Sequence, residues 1–137
     1  MGSQPLKYLL DTNVWIWCHN APERLSPMVR KSIENPKDDD ELLLSVISPW
    51  ELFKLVEKRR LTLSSDAFDW VETALQRVPL RMIELSPRIS HQSTVLPDSL
   101  NGDPADQIIV ATARIERAVI LTKDKQILNY PHVRSMW

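Results

Sequence analysis

The sequence predicts an α/β fold: a parallel sheet covered on both faces by helices. Three observations carry that prediction. Short, mostly apolar runs occur at residues 6–10 (LKYLL), 42–46 (LLLSV), 82–85 (MIEL) and 118–121 (AVIL), and such runs are typical of strands buried on both faces. Longer stretches with apolar residues at helical spacing separate them, which is the alternation of a parallel sheet. Helix openings recur at Ser26-Pro27, Ser48-Pro49, Ser86-Pro87 and Asp103-Pro104. Each pairs a capping side chain with a residue preorganised for the first helical position.

The first run stops at Asp11-Thr12-Asn13, and residues 14–18 (VWIWC) begin a helix that Asn20-Ala21-Pro22 breaks. Ser26-Pro27 opens a helix to about Glu34. Residues 35–41 form a polar loop whose acidic run, Asp38-Asp39-Asp40-Glu41, reads as solvated charge. After the second strand, Ser48-Pro49-Trp50-Glu51 has the Ser-x-x-Glu form of a capping box, which puts Glu51 in a first helical turn. That helix runs to about Arg60, with Leu52, Leu55 and Val56 inside and Lys54, Glu57, Lys58, Arg59 and Arg60 largely outside. Residues 64–78 form a further helix with Phe68, Val71, Ala74, Leu75 and Val78 at helical spacing. The third strand leads to Ser86-Pro87 and a helix to about Leu96. A loop then enters GDPADQIIVATA, residues 102–113. There Asp103 is an N-cap, Pro104 takes the first helical position and Asp106 falls in the first turn. The small apolar residues that follow suit close packing on a sheet. The fourth strand ends at Thr122-Lys123-Asp124, and a short helix and a tail, with room for one last strand, close the chain.

Composition narrows the function classes. The chain has 137 residues and a net charge of −1, so bulk electrostatics does not announce a nucleic-acid binder. Its two glycines, Gly2 and Gly102, exclude a Walker A loop and a GxGxxG fingerprint. One cysteine, Cys18, precludes an internal disulfide, fits a reducing cytoplasm and reads as a buried hydrophobe. No apolar run approaches the roughly 20 residues of a membrane span, and no signal peptide is recognisable.

The acids carry the functional signal. Asp11 follows the first strand, Glu51 the second and Asp124 the fourth. Ligands of open α/β sheets bind beyond the carboxyl ends of the strands, so these three share one edge, and Asp106 reaches it if its helix starts there. Each acid has a separate structural explanation, as a cap, turn or helix-start residue, but their convergence argues for a site. Packed carboxylates repel and take up protons unless a cation compensates. An all-oxygen set without His or Cys suits Mg²⁺ or Mn²⁺, which can polarise a phosphodiester and activate water. His19, His91 and His132 have no catalytic setting and read as structural or surface residues. The cations Lys54, Lys58, Arg59 and Arg60, with Lys123 and Lys125 beside Asp124, read either as solvated faces or as phosphate contacts lining the approach to the acids. Trp15 and Trp17 read as core residues, with base stacking as their other use.

From Leu9 to about Leu128 the chain resembles PIN-domain ribonucleases, specifically the VapC toxins of VapBC toxin–antitoxin systems. The motifs LLDTNVWIW, SVISPWELFKL, DPADQIIVATA and LTKD occur in the family's order. The resemblance implies a PIN-like three-layer α/β/α sandwich, its central sheet mostly parallel with four to five strands. The length suits one domain over residues 1–137, of which 1–4 read as a tag or disordered stretch. Asp11, Glu51, Asp106 and Asp124 match the family's catalytic, metal-binding quartet, Asp103 an extra nearby acid, and Asn13 and Thr122 residues that orient the acids. The implied activity is that of a Mg²⁺-dependent endoribonuclease, with Mn²⁺ able to substitute. The implied partners are an RNA substrate, a VapB-like antitoxin and a second copy of the chain, in a prokaryotic cytoplasm and without membrane attachment. Other readings are a PIN-fold nuclease acting on DNA or structured RNA outside toxin–antitoxin biology, and a non-catalytic PIN scaffold. A receiver-like phosphoacceptor domain lacks the acidic pair it needs at Asp11-Thr12.

Overall fold

Residues 5–137 are described by a computed structural model; residues 1–4, read above as a tag or disordered stretch, lie outside the described residues. The strands are β1 (Lys7–Leu10), β2 (Glu41–Ser45), β3 (Arg81–Ile83), β4 (Val119–Leu121) and β5 (Arg134–Met136). All pair in parallel, in the order β3-β2-β1-β4-β5. The helices are α1 (Thr12–Asn20), α2 (Pro27–Glu34), α3 (Ile47–Glu57), α4 (Ala67–Arg77), α5 (Pro87–Thr94), α6 (Pro104–Glu116) and α7 (Lys125–Leu128). The α/β sandwich is as expected, and the tail does form a fifth strand.

Alternation along the strands divides the core in two. Leu10, Leu44 and Leu121 pack on one face against Val14 and Trp15 of α1, Val29 of α2 and Trp70 of α4. Leu9, Leu43 and Ile120 pack on the other against Ile89 of α5, Ile109 and Val110 of α6 and Ile127 of α7. The six strand residues are fully buried, and burying one such side chain contributes roughly 1.5–3 kcal/mol. Ala111 and Ala113 of α6 are buried too, so small residues do face the core there. No helix among the described residues is long and apolar enough to cross a membrane.

The chain builds outward from β1 through β2 to β3, then returns to lay β4 beside β1 on the other side. The carboxyl ends of β1 and β4 therefore form the switch point, where open sheets bind their ligands.

Three local expectations fail. α3 starts at Ile47, with Val46 in helical conformation at its cap position and no side-chain cap. Ser48 is a buried residue inside the helix rather than its N-cap. The helix ends at Glu57, and Arg59 turns the chain away with a φ of 57°. On α4, Phe68 is 60% exposed while Trp70 is buried; including Trp70 rotates the apolar face away from Phe68. In the acidic run, Asp38 and Asp39 are exposed as expected. Asp40, however, accepts from the Leu6 backbone N–H at 2.8 Å and so ties down the start of β1. Glu41 pairs with Arg81 at 2.9 Å.

Candidate active site

Asp11 stands one residue beyond β1. Its backbone N–H donates to the Leu121 carbonyl at 3.0 Å, prolonging the ladder. Its Oδ1 accepts from the Thr12 N–H at 2.8 Å, capping α1. Its Oδ2 accepts from the Thr122 hydroxyl at 2.7 Å. Thr122 follows β4, is fully buried and accepts from the Asp124 N–H at 2.9 Å. Asp124 caps α7 by accepting from the Gln126 N–H at 2.8 Å.

Glu51 lies in the second turn of α3 and is aimed by α1. The Thr12 hydroxyl donates to Glu51 Oε1. A hydroxyl has one hydrogen to give, so Ser48 Oγ, 2.8 Å from Thr12 Oγ1, must donate to Thr12. The chain Ser48–Thr12–Glu51 replaces the capping box expected at this point.

Asp106 does lie in the first turn of α6, and Asp103 is its N-cap, accepting from the N–H groups of Ala105 at 2.9 Å and Asp106 at 3.3 Å. Asn101 orders the entry to this helix. Its Nδ2 donates to Asp106 Oδ2 at 2.8 Å, its Oδ1 accepts from the Asp103 N–H at 2.9 Å, and its carbonyl accepts from Gln107 at 2.8 Å.

Asp11, Glu51, Asp103, Asp106 and Asp124 all line one cleft of about 550 Å³, together with the exposed Lys123 and Lys125. Burial chiefly raises the pKa of Asp11; the bonds from Thr122 and Thr12 oppose it, and the charges of Asp124 and Asp103 add to it. Glu51 is pushed up to about 7, mainly by burial, against the Thr12 bond and with help from Asp11, Asp106 and Asp103. Asp106 is pushed up to about 6 by burial, against the Asn101 bond and with help from Asp103, Asp11 and Asp124. The carboxylates therefore resist being charged together, which is what a compensating cation relieves. The donor set, all oxygen, fits Mg²⁺ or Mn²⁺. Among the described residues no three acids, His or Cys are gathered tightly enough to hold an ion by themselves. Mg²⁺ does not require such a cage: it keeps several waters and takes one or two carboxylates plus substrate phosphate.

Other sequence candidates divide. Asn13 lines the cleft but is exposed and makes no hydrogen bond to an acid among the described residues. The orienting role expected of it falls to Thr12. Lys54, Lys58 and Arg60 line a second groove of about 440 Å³ with the half-exposed Trp50. That groove shares Glu51, Leu55 and Asp103 with the acidic cleft. Arg59 does not line it, and Lys54 is paired with Glu57 at 3.0 Å. Trp15 is a core residue, as expected. Trp17 is only partly buried and lines the cleft, with the Arg24 guanidinium 4.3 Å above its ring and Trp137 edge-on at 6.1 Å. Cys18 is half-buried, donates to the Trp15 carbonyl and has its thiol pushed up to about 12 by burial, so it is unreactive. None of the histidines lines the cleft.

Thr12, Ser48 and Asn101 are the residues that sequence reasoning missed. Thr12 had a readable signal, a hydroxyl directly after a strand-end acid. Ser48 and Asn101 matter only because other segments are brought to them.

The sequence profile of the PIN domain family matches residues 8–133. Ribonuclease VapC22 of Mycobacterium tuberculosis is 34% identical over 128 residues, 93% of this chain and 95% of that protein. Two solved structures superpose over nearly their full length. One is VapBC2 from Rickettsia felis bound to a DNA fragment from their promoter, at TM-score 0.73 and 20% identity, covering 96% of this chain and 99% of that one. The other is VapBC-1 from nontypeable Haemophilus influenzae, at TM-score 0.71 and 18% identity, covering 96% and 97%. At these identities the two structures establish likeness of fold.

Proposed function

The chain belongs to the PIN-domain family, among the VapC ribonucleases, and on that premise we propose that it is a metal-dependent endoribonuclease, the toxin of a toxin–antitoxin pair restrained by a VapB-like antitoxin. The observation that carries this reading is the convergence of five carboxylates from four separate segments in one cleft at the switch point of the sheet.

Asp11, Glu51, Asp106 and Asp124 would hold Mg²⁺, or Mn²⁺ in its place. When bound, the ion supplies a Lewis acid that draws charge from the scissile phosphodiester. Thr122 fixes Asp11 relative to the backbone of Asp124, Thr12 fixes Glu51, and Asn101 fixes Asp106. Asp103 holds the start of α6 in place and adds negative charge at the edge of the cleft. Glu51 Oε2 is left free by Thr12, which bonds Oε1. That oxygen is the one Glu51 would offer to the ion.

Lys58 and Arg60 in the adjoining groove, and Lys123 and Lys125 at the cleft, can contact phosphates flanking the scissile one; such contacts position a strand without reading its sequence. The lone, half-buried cysteine and the family support a cytoplasmic location, and the same reading includes one domain acting as a homodimer.

The test is incubation of the purified chain with RNA and mapping of the new ends. Internal cuts are expected, and a VapB-like antitoxin that binds the chain should suppress them. Trimming from the ends only, or intact RNA, would contradict the reading.

A further inference from the structure

We propose a second, phosphate-binding site at the opposite edge of the sheet from the acids. A cavity of about 540 Å³ opens where α6 ends and β4 and β5 begin, and Arg114, Arg117, His132 and Arg134 line it. Along α6, at 1.5 Å per residue, Asp106 in the first turn lies about 12 Å from Arg114 and about 16 Å from Arg117, the residues of α6 and its cap that line this cavity.

Two features point to an anion. First, among the described residues none of the three guanidiniums lies within ion-pair distance of a carboxylate. Second, two of them are held by neutral oxygens, which orient the fork and leave its charge uncompensated. Arg114 donates from Nε to Gln92 Oε1 at 2.9 Å and from Nη1 to the His132 carbonyl at 2.5 Å. Arg134 donates to the Arg117 carbonyl at 3.1 Å. The Asp98 carboxylate is held by His132 Nε2 at 2.6 Å and does not line the cavity. In a chain of net charge −1, this concentration of cations is local.

The guanidinium fork matches phosphate oxygens two at a time, and three of them match the charge of a phosphate better than that of one carboxylate. The volume is within the range of sites for small ligands, roughly 300–1,000 Å³, large enough for a nucleotide. The phosphate can come from a free mononucleotide or from an RNA strand that extends beyond the cleft; only the second source rests on the ribonuclease reading.

The experiment uses the full chain and follows the arginine Nε–H resonances by NMR. Titration with adenosine 5′-monophosphate is compared with adenosine. In parallel, binding of a single-stranded RNA long enough to reach both edges is measured across a salt series in an Asp106→Asn background. Arg117→Gln and Arg134→Gln are then combined, and circular dichroism checks that the variant folds. A free nucleotide is the ligand if the monophosphate, but not adenosine, shifts Arg114 and Arg134 and the double variant abolishes the shift. RNA is the ligand if the double variant lowers the salt slope by about 1.4, at about 0.7 per lost contact. Arginine resonances unmoved by the monophosphate, or moved equally by adenosine, together with an unchanged slope, overturn the proposal. Should the double variant not fold, the unsubstituted chain decides on the resonances alone. The monophosphate arm stands even if the chain cleaves no RNA.

Discussion

The Thr122 hydroxyl donates to Asp11 Oδ2 at 2.7 Å while accepting from the Asp124 N–H at 2.9 Å. One buried side chain, just past the end of β4, thus sets two acids from opposite ends of the sequence. Thr122→Val removes both bonds at nearly constant volume. Leaving buried partners unsatisfied costs about 1–3 kcal/mol, so denaturant melts are expected to show that loss and cleavage a larger one. Thr122→Ser should restore both. Full activity in Thr122→Val would show that the acids do not need this tie.

Glu51 and Ser48 separate a site from a cap. In a capping box Glu51→Gln would be nearly silent, because Gln serves equally. Here Glu51 is aimed by Thr12, and Ser48 supports Thr12. Glu51→Gln is expected to abolish cleavage while the chain stays folded. Thr12→Val should slow cleavage, since misplacing a reacting group costs on the order of 10²-fold. Wild-type rates in both variants would return Glu51 to a structural role.

The acids also predict how stability varies with pH. Glu51 has a pKa of about 7 against an ordinary 4.5, and Asp106 about 6 against 3.8. Between those values the folded chain keeps protons that the unfolded chain has released. Without metal, stability should therefore fall as pH rises from 3.8 toward about 7 through these two groups, and flatten above. Mg²⁺ competes with those protons, so it should raise the melting temperature more above the pKa of Glu51 than below that of Asp106. Melting curves recorded across pH with and without Mg²⁺ check both; stability that rises over this window without metal would contradict the burial of these carboxylates.

Of the basic residues after α3, only Lys58 and Arg60 line the groove beside the cleft. Replacing both with Gln should lower the salt slope of single-stranded RNA binding by about 1.4, at about 0.7 per contact. Arg59→Gln should leave it unchanged. Equal effects at all three positions would indicate diffuse attraction rather than a groove.

Much of this was legible because it is locally encoded. Ser26, Ser86 and Asp103 cap their helices where Ser-Pro and Asp-Pro announce it. Leu9, Leu43 and Ile120 mark strands by their own apolar runs. The acids could be assigned to one edge because each follows a strand or opens a helix. Ser48 misled for the opposite reason: its hydroxyl satisfies Thr12 on another helix, and nothing in its neighbourhood of the sequence records that. Asn13 and Thr12 are adjacent, and which of them turns inward depends on how α1 sits against α3. Arg114, Arg117 and Arg134 come together only when β5 is laid beside β4.

The most direct measurement is cleavage of a defined RNA by the chain stripped of metal with EDTA, then supplied with Mg²⁺ or Mn²⁺, alongside Asp106→Asn under the same conditions. No cleavage in EDTA, recovery with either ion, and none with the folded Asp106→Asn variant are predicted. Cleavage that persists in the stripped protein, or a wild-type rate from Asp106→Asn, would contradict a metal-dependent site built on these acids.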